Sequence, residues 1–149
     1  MMVIERLSPL DVESALPGAK EFYSKAPLPG ELNEDHFVSE WARILSEKKG
    51  IALVARREDS SAPVAGLAGY LGIDPVTGEK VFKEAWFFSM DGNHGDGRQL
   101  LWAMEEALRG LGVKFCYMAS LLDFKATETA NLYGKNGYIP KEVFWLKEM

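Results

Sequence analysis

The segment that most constrains the fold of this chain is a glycine-rich loop between an aromatic strand and an amphipathic helix. The loop follows a predicted strand over residues 84–90 and carries three glycines, Gly92, Gly95 and Gly97, just before the helix. Glycine lets the backbone approach a ligand closely, and the first N–H groups of a helix have no partner inside the helix. Together with the helix dipole, these groups favour a bound anion, most often a phosphate. The sequence therefore predicts a strand–loop–helix unit that binds an anion.

Two common phosphate-binding patterns do not fit the spacing. A P-loop requires Gly-Lys followed by Ser or Thr, but Arg98 and Gln99 follow Gly97. A dinucleotide-binding fingerprint requires a third glycine where Leu100 stands. The loop also comes after several predicted strands, whereas that fingerprint opens a first strand–helix–strand unit. Neither nucleotide-binding pattern therefore applies.

What remains resembles the coenzyme A pyrophosphate loop of the GNAT superfamily of N-acetyltransferases. The family pattern Q/R-x-x-G-x-G/A falls on residues 92–97, where both glycines match. Gly92 replaces the leading Gln or Arg, and Asp96 replaces the usual aliphatic residue, which places a carboxylate near the phosphates. For His94 and Arg98, simple solvation is the alternative, and Asp96 could serve as a helix N-cap. The coenzyme-binding loop residues that the resemblance implies are Asn93, His94, Gly95, Asp96, Gly97 and Arg98.

A second segment, residues 130–138, resembles the late helix of the same family, with the rough consensus A-x-x-x-Y-x-x-x-G-[FY]. The resemblance implies that Tyr133 stands beside the thioester sulfur and protonates the leaving thiolate. It also implies that Asn131 hydrogen-bonds the coenzyme. Helix packing is the alternative for Tyr133, and solvent exposure is the alternative for Asn131. The ending, residues 138–149, is similar to a subset of the family that is frequent in phages and prophages.

The order of predicted elements agrees with this family. A helix between strands 80–90 and 113–119 implies a right-handed crossover, so these two strands should run parallel. The expected fold class is α/β (an α+β mixed sheet), with an antiparallel N-terminal half and a βαβ crossover in the C-terminal half. In the family, the two parallel strands splay apart and receive the pantetheine arm. The other predicted elements are strand 2–7, helix 11–26 with a break at Pro17, a helix capped by Asn33 and ended by Gly50, strand 51–57, strand 63–73, a turn at 74–78, a helix from Gly97 to Gly110 or Gly112, and helix 125–136 capped by Gly137.

Composition restricts the class of protein. The 149 residues are 47% hydrophobic and 26% charged, which predicts one globular domain over residues 1–149. No apolar run approaches the ~20 residues of a membrane span, and no signal-peptide pattern opens the chain. The single Cys116 lies in an apolar run, which favours a packed strand thiol over the alternative of a nucleophile. We therefore expect a cytoplasmic protein without a membrane partner.

Charge and histidine content exclude two further classes. A net charge of −5 argues against a general nucleic-acid binder, which would carry a basic patch. His36 and His94 are far apart and show no metal-ligand spacing, so we expect no metal site. The mild acidity is compatible with a cationic substrate.

The predicted strand 80–90 supplies a candidate general base. Strand alternation should place one carboxylate, Glu84, on the same face as several large apolar side chains. Such surroundings should raise its pKa, which suits a base that deprotonates an amine. Alternatively, Glu84 faces water and another group, Glu79, Tyr70 or a water chain, takes the role. The residues expected on that face are Phe82, Glu84, Trp86, Phe88 and Met90.

The resemblance implies an acyl-CoA-dependent N-acyltransferase that moves acetyl from acetyl-CoA to a primary amine by direct attack. Pantetheine amides would pair with the backbone of Phe88, Ser89 and Met90, Glu84 would act as base and Tyr133 as acid. The acceptor stays open between a small amine, an antibiotic, a polyamine and a protein amine, and so does the oligomeric state, a homodimer included. Two alternatives are a non-catalytic acyl-CoA-binding or partner-binding domain, and a structural phage-type accessory protein that binds no coenzyme.

Overall fold

The computed structural model describes residues 2–26, 28–90, 96–121 and 125–149. The chain forms two compact units, Met1–Ala119 and Ser120–Met149. The first unit contains a five-stranded mixed sheet with strand order β1-β2-β3-β4-β5. Its elements are β1 (Met2–Arg6), a 3₁₀ helix (Pro9–Ala15), α1 (Leu16–Lys25), α2 (Glu34–Ser46), β2 (Gly50–Arg57), β3 (Ala65–Ile73), β4 (Lys80–Ser89), α3 (Asp96–Gly110) and β5 (Phe115–Tyr117). The predicted α/β class is confirmed.

The N-terminal helices begin and end at the local signals of the sequence. Pro17 lies in the first turn of α1, where its missing N–H costs nothing, so the predicted restart at this proline is confirmed. Asn33 caps α2, since its Oδ1 accepts a hydrogen bond of 3.0 Å from the His36 N–H. The helix ends at Ser46 and not at Gly50, because Lys48 turns the chain with a φ of 58°. Gly50 instead opens β2.

The hairpin between β3 and β4 forms at the predicted turn. The Asp74 carboxylate accepts hydrogen bonds from the N–H groups of Thr77 and Val76, at 3.0 and 2.8 Å. These bonds, that from Thr77 first, hold the pKa of Asp74 below its usual value. Gly78 supplies the left-handed residue, with a φ of 73°. β3 and β4 consequently pair antiparallel.

A bulge in β4 changes which side chains share a face. Ala68 pairs with Trp86 but Gly69 pairs with Glu84, so β4 holds one extra residue between them. A Cβ at Gly69 would meet the Phe82 ring, whereas a Cβ at Gly66 would meet the Phe88 ring. Positions 66 and 69 point to opposite faces of β3. The prediction that Phe82 and Glu84 share a face with Trp86 and Phe88 is therefore wrong, because the extra residue inverts the alternation.

The sheet is covered on both faces by different kinds of side chain. An aromatic cluster of Phe37, Trp41, Trp86 and Phe88 fills the face under α1 and α2. The opposite face receives α3, which packs against β2, β3 and β4. The apolar stripe of α3 is buried as its helical spacing predicts, and its buried side chains are Leu100, Leu101, Met104 and Leu108.

The crossover through α3 returns the chain beside β4. β5 pairs parallel with β4 in three positions, Val81 with Phe115, Phe82 with Cys116 and Lys83 with Tyr117, which confirms the predicted direction. β5 is shorter than the predicted strand 113–119. Past Lys83, β4 continues to Ser89 with no strand paired on that side among the described residues. The two strands thus part at Glu84.

The second unit is built around α4 (Ala126–Lys135). Gly137 follows it with a φ of 85°, and the Tyr138 N–H donates to the Tyr133 carbonyl at 3.0 Å. This arrangement confirms the glycine cap that the sequence predicts. Residues 138–149 contain no helix or strand. Across the described part of the chain, no helix combines the length and apolar content that a membrane crossing would require.

Candidate functional site

The strand directions bring the start of α3 next to the ends of two strands. β2 and β4 both run antiparallel to β3, so their carboxyl ends, Arg57 and Ser89, meet at one edge of the sheet. α3 begins at the same edge with Asp96, Gly97 and Arg98 in its first turn. The predicted loop residues Asn93, His94 and Gly95, like Gly92, lie outside the described residues. Their coenzyme contacts stay predictions.

Gly97 has room for a side chain in the protein itself. A Cβ at this position would lie 3.4 Å from Cζ and 3.6 Å from Cε1 of the Phe87 ring. These are ordinary van der Waals separations, so packing against the described residues does not require a glycine. A bound group that approaches the first turn of α3 would require one.

Asp96 is buried, with 4% relative exposure, and is paired with a residue that the sequence analysis missed. Its Oδ2 lies 3.1 Å from Nη2 of Arg57, the last residue of β2. A buried carboxylate is costly unless a cation and hydrogen bonds compensate it. The two residues are 39 positions apart. The signal that could have linked them is that β2 and β4 run in the same direction, which brings the end of β2 to the edge of the sheet where α3 begins.

Arg98 is exposed and already has a partner in its own helix. Its guanidinium carbon lies 5.0 Å from the ring centroid of Trp102, one turn later. Such a cation–π contact offsets the unfavourable position of a cation in the first helical turn. Its predicted phosphate contact stays a prediction.

Glu84 lies where β4 and β5 part. It is half-buried, and its Oε1 accepts a long hydrogen bond of 3.4 Å from the Ala119 N–H. Ala119 comes shortly after the last residue of β5, and Lys83 is the last residue of β4 that pairs with β5. The carboxylate therefore sits at the mouth of the opening between the two strands.

The last residues of β4 are used in different ways. Phe88 is buried against the Trp86 ring, at 5.9 Å between centroids, so its side chain belongs to the core. The Met90 N–H donates to the carbonyl of Val64, the residue before β3, at 2.8 Å, so this N–H faces the β3 side. Ser89 is exposed at the end of the strand. Any pantetheine pairing with this backbone must therefore use the side of β4 that faces away from β3, and it stays a prediction.

The alternative bases are placed less well. Partial loss of solvent raises the pKa of the Tyr70 hydroxyl, so this group stays protonated at neutral pH. Its ring is stacked on Trp41, at 5.4 Å between centroids. Glu79 is exposed beside the hairpin turn, roughly 17 Å along the strand from Glu84. Glu84 is the carboxylate that the strand opening itself presents.

Tyr133 and Asn131 lie on α4 in the second unit. Tyr133 is buried, and its ring centroid lies 5.6 Å from that of Tyr138. Asn131 is exposed, and its position two residues earlier places it on a different side of the helix. Their roles toward the coenzyme stay predictions.

Cys116 is half-buried in β5, opposite Phe82 of β4, so the predicted strand position is confirmed. Among the described residues, no group of three or more His, Cys, Asp or Glu side chains could hold a metal ion.

Comparison with known proteins identifies the fold. No protein-family model matches the sequence, and no curated protein sequence matches it either. The ribosomal-protein-alanine N-acetyltransferase from Brucella melitensis biovar Abortus 2308 superposes with a TM-score of 0.76 at 14% identity, over 100% of this chain and 99% of that chain. The glucosamine-6-phosphate N-acetyltransferase from Arabidopsis thaliana gives 0.75 at 14%, over 99% and 98%.

An aminoglycoside acetyltransferase from an uncultured soil metagenomic sample gives a TM-score of 0.75 at 16% identity, over 100% of this chain and 99% of that chain. At such identities the likeness shows the fold alone. The chain has the GNAT-like fold of these acetyltransferases along its whole length. The likeness of residues 138–149 to phage and prophage proteins stays a prediction.

Proposed function

We propose that this protein is an acyl-CoA-dependent N-acyltransferase that transfers acetyl from acetyl-CoA to an amine. One observation carries the proposal: a fold shared with solved acetyltransferases over the whole chain opens its sheet at a half-buried carboxylate, Glu84. The same fold starts α3 at the carboxyl end of the opened strand, with a glycine that no contact to a described residue requires. The start of α3 would hold the thioester donor, and Glu84 would serve the amine acceptor.

The donor would lie along the edge of β4 that faces away from β3. Its phosphates would accept hydrogen bonds from N–H groups of residues 93–98, where the helix dipole favours negative charge. Its pantetheine amides would pair with the backbone of Phe88, Ser89 and Met90 on the open side. Asn131 would contribute a further hydrogen bond from α4. Two substrates held in this way would react as if at very high concentration.

The acceptor must reach the thioester as a free amine. A lysine-like ammonium has a pKa of about 10, so a base must remove a proton at neutral pH. Glu84 would accept that proton, directly or through one water. The amine nitrogen then attacks the thioester carbonyl, and a backbone N–H of the opened strand would hold the oxyanion. As the C–S bond breaks, the Tyr133 hydroxyl would give its proton to the departing thiolate, and the second proton that the nitrogen must lose to become an amide would restore the hydroxyl.

The solved structures do not narrow the acceptor beyond an amine. One neighbour is described as acting on ribosomal-protein alanine, one on glucosamine 6-phosphate and one on aminoglycosides. A protein amine, a sugar amine, an antibiotic and a polyamine all remain candidates for this chain. The net charge of −5 favours a cationic acceptor.

The test is a panel of amines offered with acetyl-CoA, with release of free thiol as the readout. The panel contains protein N-termini, lysine peptides, aminosugars, aminoglycosides and polyamines. We expect thiol release that depends on both substrates, with one acceptor class well above the others. A thiol signal that no amine increases above the rate of spontaneous hydrolysis would contradict the proposal.

A non-catalytic coenzyme-binding domain is the second candidate function. It is favoured by the lack of the family's Gln or Arg at position 92 and by the carboxylate of Asp96 at the predicted phosphate site. Calorimetry would then show coenzyme binding with no turnover across the whole panel. Absence of both binding and turnover would instead favour the third alternative, a structural accessory protein that binds no coenzyme.

A further inference from the structure

An ion pair ties the first turn of α3 to the central part of the sheet. Arg57 ends β2, which is hydrogen-bonded to β1 on one side and to β3 on the other. Its Nη2 lies 3.1 Å from Oδ2 of Asp96 at the first residue of α3. Among the described residues, Asp96 is the buried charged side chain. A contact of this kind between buried carboxylate and guanidinium fixes both position and charge.

The charge of Asp96 has two opposite consequences at this place. A carboxylate at a helix N-terminus interacts favourably with the helix dipole, which stabilises α3. The same carboxylate would repel a phosphate bound to the neighbouring N–H groups, since the two groups would carry like charges at close range. The Arg57 guanidinium cancels that charge at 3.1 Å while leaving the carboxylate in the helix.

We propose that Arg57 is a positioning residue for the coenzyme diphosphate, acting through Asp96. It neutralises the Asp96 carboxylate and holds the first turn of α3 in place, so that the helix start can accept a dianionic group. This inference rests on the proposed function, because it assigns the start of α3 to the coenzyme phosphates. Because Arg57 neutralises it, the Asp96 carboxylate can stand at a position where a phosphate-binding loop would otherwise avoid a negative charge.

The experiment compares charge-removing and charge-keeping variants of the pair. Arg57→Gln leaves the carboxylate unpaired and should weaken coenzyme A binding about tenfold, the worth of one charge-assisted contact. Arg57→Lys keeps the cation and should bind nearly as well as wild type. The double variant Arg57→Gln with Asp96→Asn has no charge to neutralise and should regain most of the lost affinity. Isothermal calorimetry with coenzyme A measures all of these affinities.

A matched control lies one residue earlier on the same strand. Arg56 pairs with Glu5 at 2.7 Å and with Asp11 at 2.5 Å, and so it links β2 to β1 and to the 3₁₀ helix and not to α3. Arg56→Gln should lower the melting temperature without changing coenzyme affinity. A loss of affinity in Arg56→Gln equal to that in Arg57→Gln would overturn the assignment, because it would trace the effect to general stability.

A second readout uses a donor without phosphates. Activity with S-acetylpantetheine, measured as thiol release, should be equal in wild type and Arg57→Gln, while KM for acetyl-CoA rises and kcat changes little. Equal losses with both donors would overturn the inference in favour of a purely structural role. A double variant as weak as Arg57→Gln would overturn the action through Asp96. If wild type binds coenzyme A and every Arg57 variant binds it equally well, this inference alone is overturned. If wild type does not bind coenzyme A, the proposed function is overturned as well.

Discussion

A Cβ at Gly69 in β3 would lie 2.3 Å from the Lys83 carbonyl oxygen and 2.4 Å from the Phe82 ring, whereas a Cβ at Gly97 in α3 would lie 3.4 Å from its nearest neighbour. The first glycine is required by the protein itself, because the β4 bulge brings backbone and ring against it. The second is not required by any described contact. The difference separates residues that are fixed by packing from residues whose identity points to a bound partner.

Under the proposed mechanism, Tyr133 serves both packing and the reaction, and it carries the largest expected effect. Its ring packs beside Tyr138, at 5.6 Å between centroids, and Tyr133→Phe keeps that ring. Loss of the hydroxyl should lower kcat about 10²–10⁴-fold, the usual contribution of a positioned general acid. Coenzyme affinity and melting temperature should stay near wild type.

The measurement is steady-state kinetics with the best acceptor, with Tyr138→Phe as the control that removes the neighbouring hydroxyl. Near-native turnover in Tyr133→Phe would remove the acid assignment and leave Tyr133 as a packing residue.

Glu84→Gln should produce a smaller loss that depends on pH. The variant keeps the size of the side chain but cannot accept the ammonium proton, so kcat/KM should fall up to about 10²-fold near neutral pH. The loss should shrink toward the pKa of the acceptor, about 10, since the amine is then already free. A pH profile of kcat/KM tests this, with Glu79→Gln as the exposed control. A Glu84→Gln profile parallel to that of wild type would assign the base role to water or to another group.

Gly69→Ala should destabilise the fold and leave no site-specific defect. The added methyl meets a backbone carbonyl that cannot move without disturbing the sheet, so we expect a loss of about 1–3 kcal/mol in unfolding free energy. Gly72→Ala on the same strand is the control, because its added Cβ would have no atom within 4 Å in the part of the chain that the structure describes. Urea denaturation of both variants measures the difference. Equal stability of the two would show that β4 can shift and that the packing argument at Gly69 fails.

Local signals predicted most of the fold. The caps at Asn33 and Gly137, the turn at 74–78 and the parallel crossover each depend on neighbouring residues, and each is confirmed. The β4 bulge was missed, because the residue that it accommodates, Gly69, lies on another strand. Strict alternation therefore wrongly placed Phe82 and Glu84 on the same face as Trp86 and Phe88.

The candidate site was predicted in part, for the same physical reason. Glycine spacing located the start of α3. Strand alternation singled out Glu84 as a candidate base, but its position where β4 and β5 part was not predicted. The partner of Asp96 could not be read from spacing, because Arg57 comes 39 positions earlier and meets it only at the edge of the folded sheet. Contacts between distant elements depend on how the strands and helices come together in the folded chain, which the spacing of residues along the sequence does not give.

The central claim is that the start of α3 binds the phosphates of coenzyme A, and calorimetric titration with coenzyme A tests it most directly. Wild type should bind in the micromolar range and gain thermal stability by mass action. Gly97→Val should stay folded but lose binding, because a side chain there blocks approach to the N–H groups. Gly110→Val, at the other end of α3 where no atom of the described residues lies within 4 Å of an added Cβ, should bind as wild type does. No heat and no thermal shift with wild type at millimolar coenzyme A, or unchanged affinity in Gly97→Val, would contradict the claim.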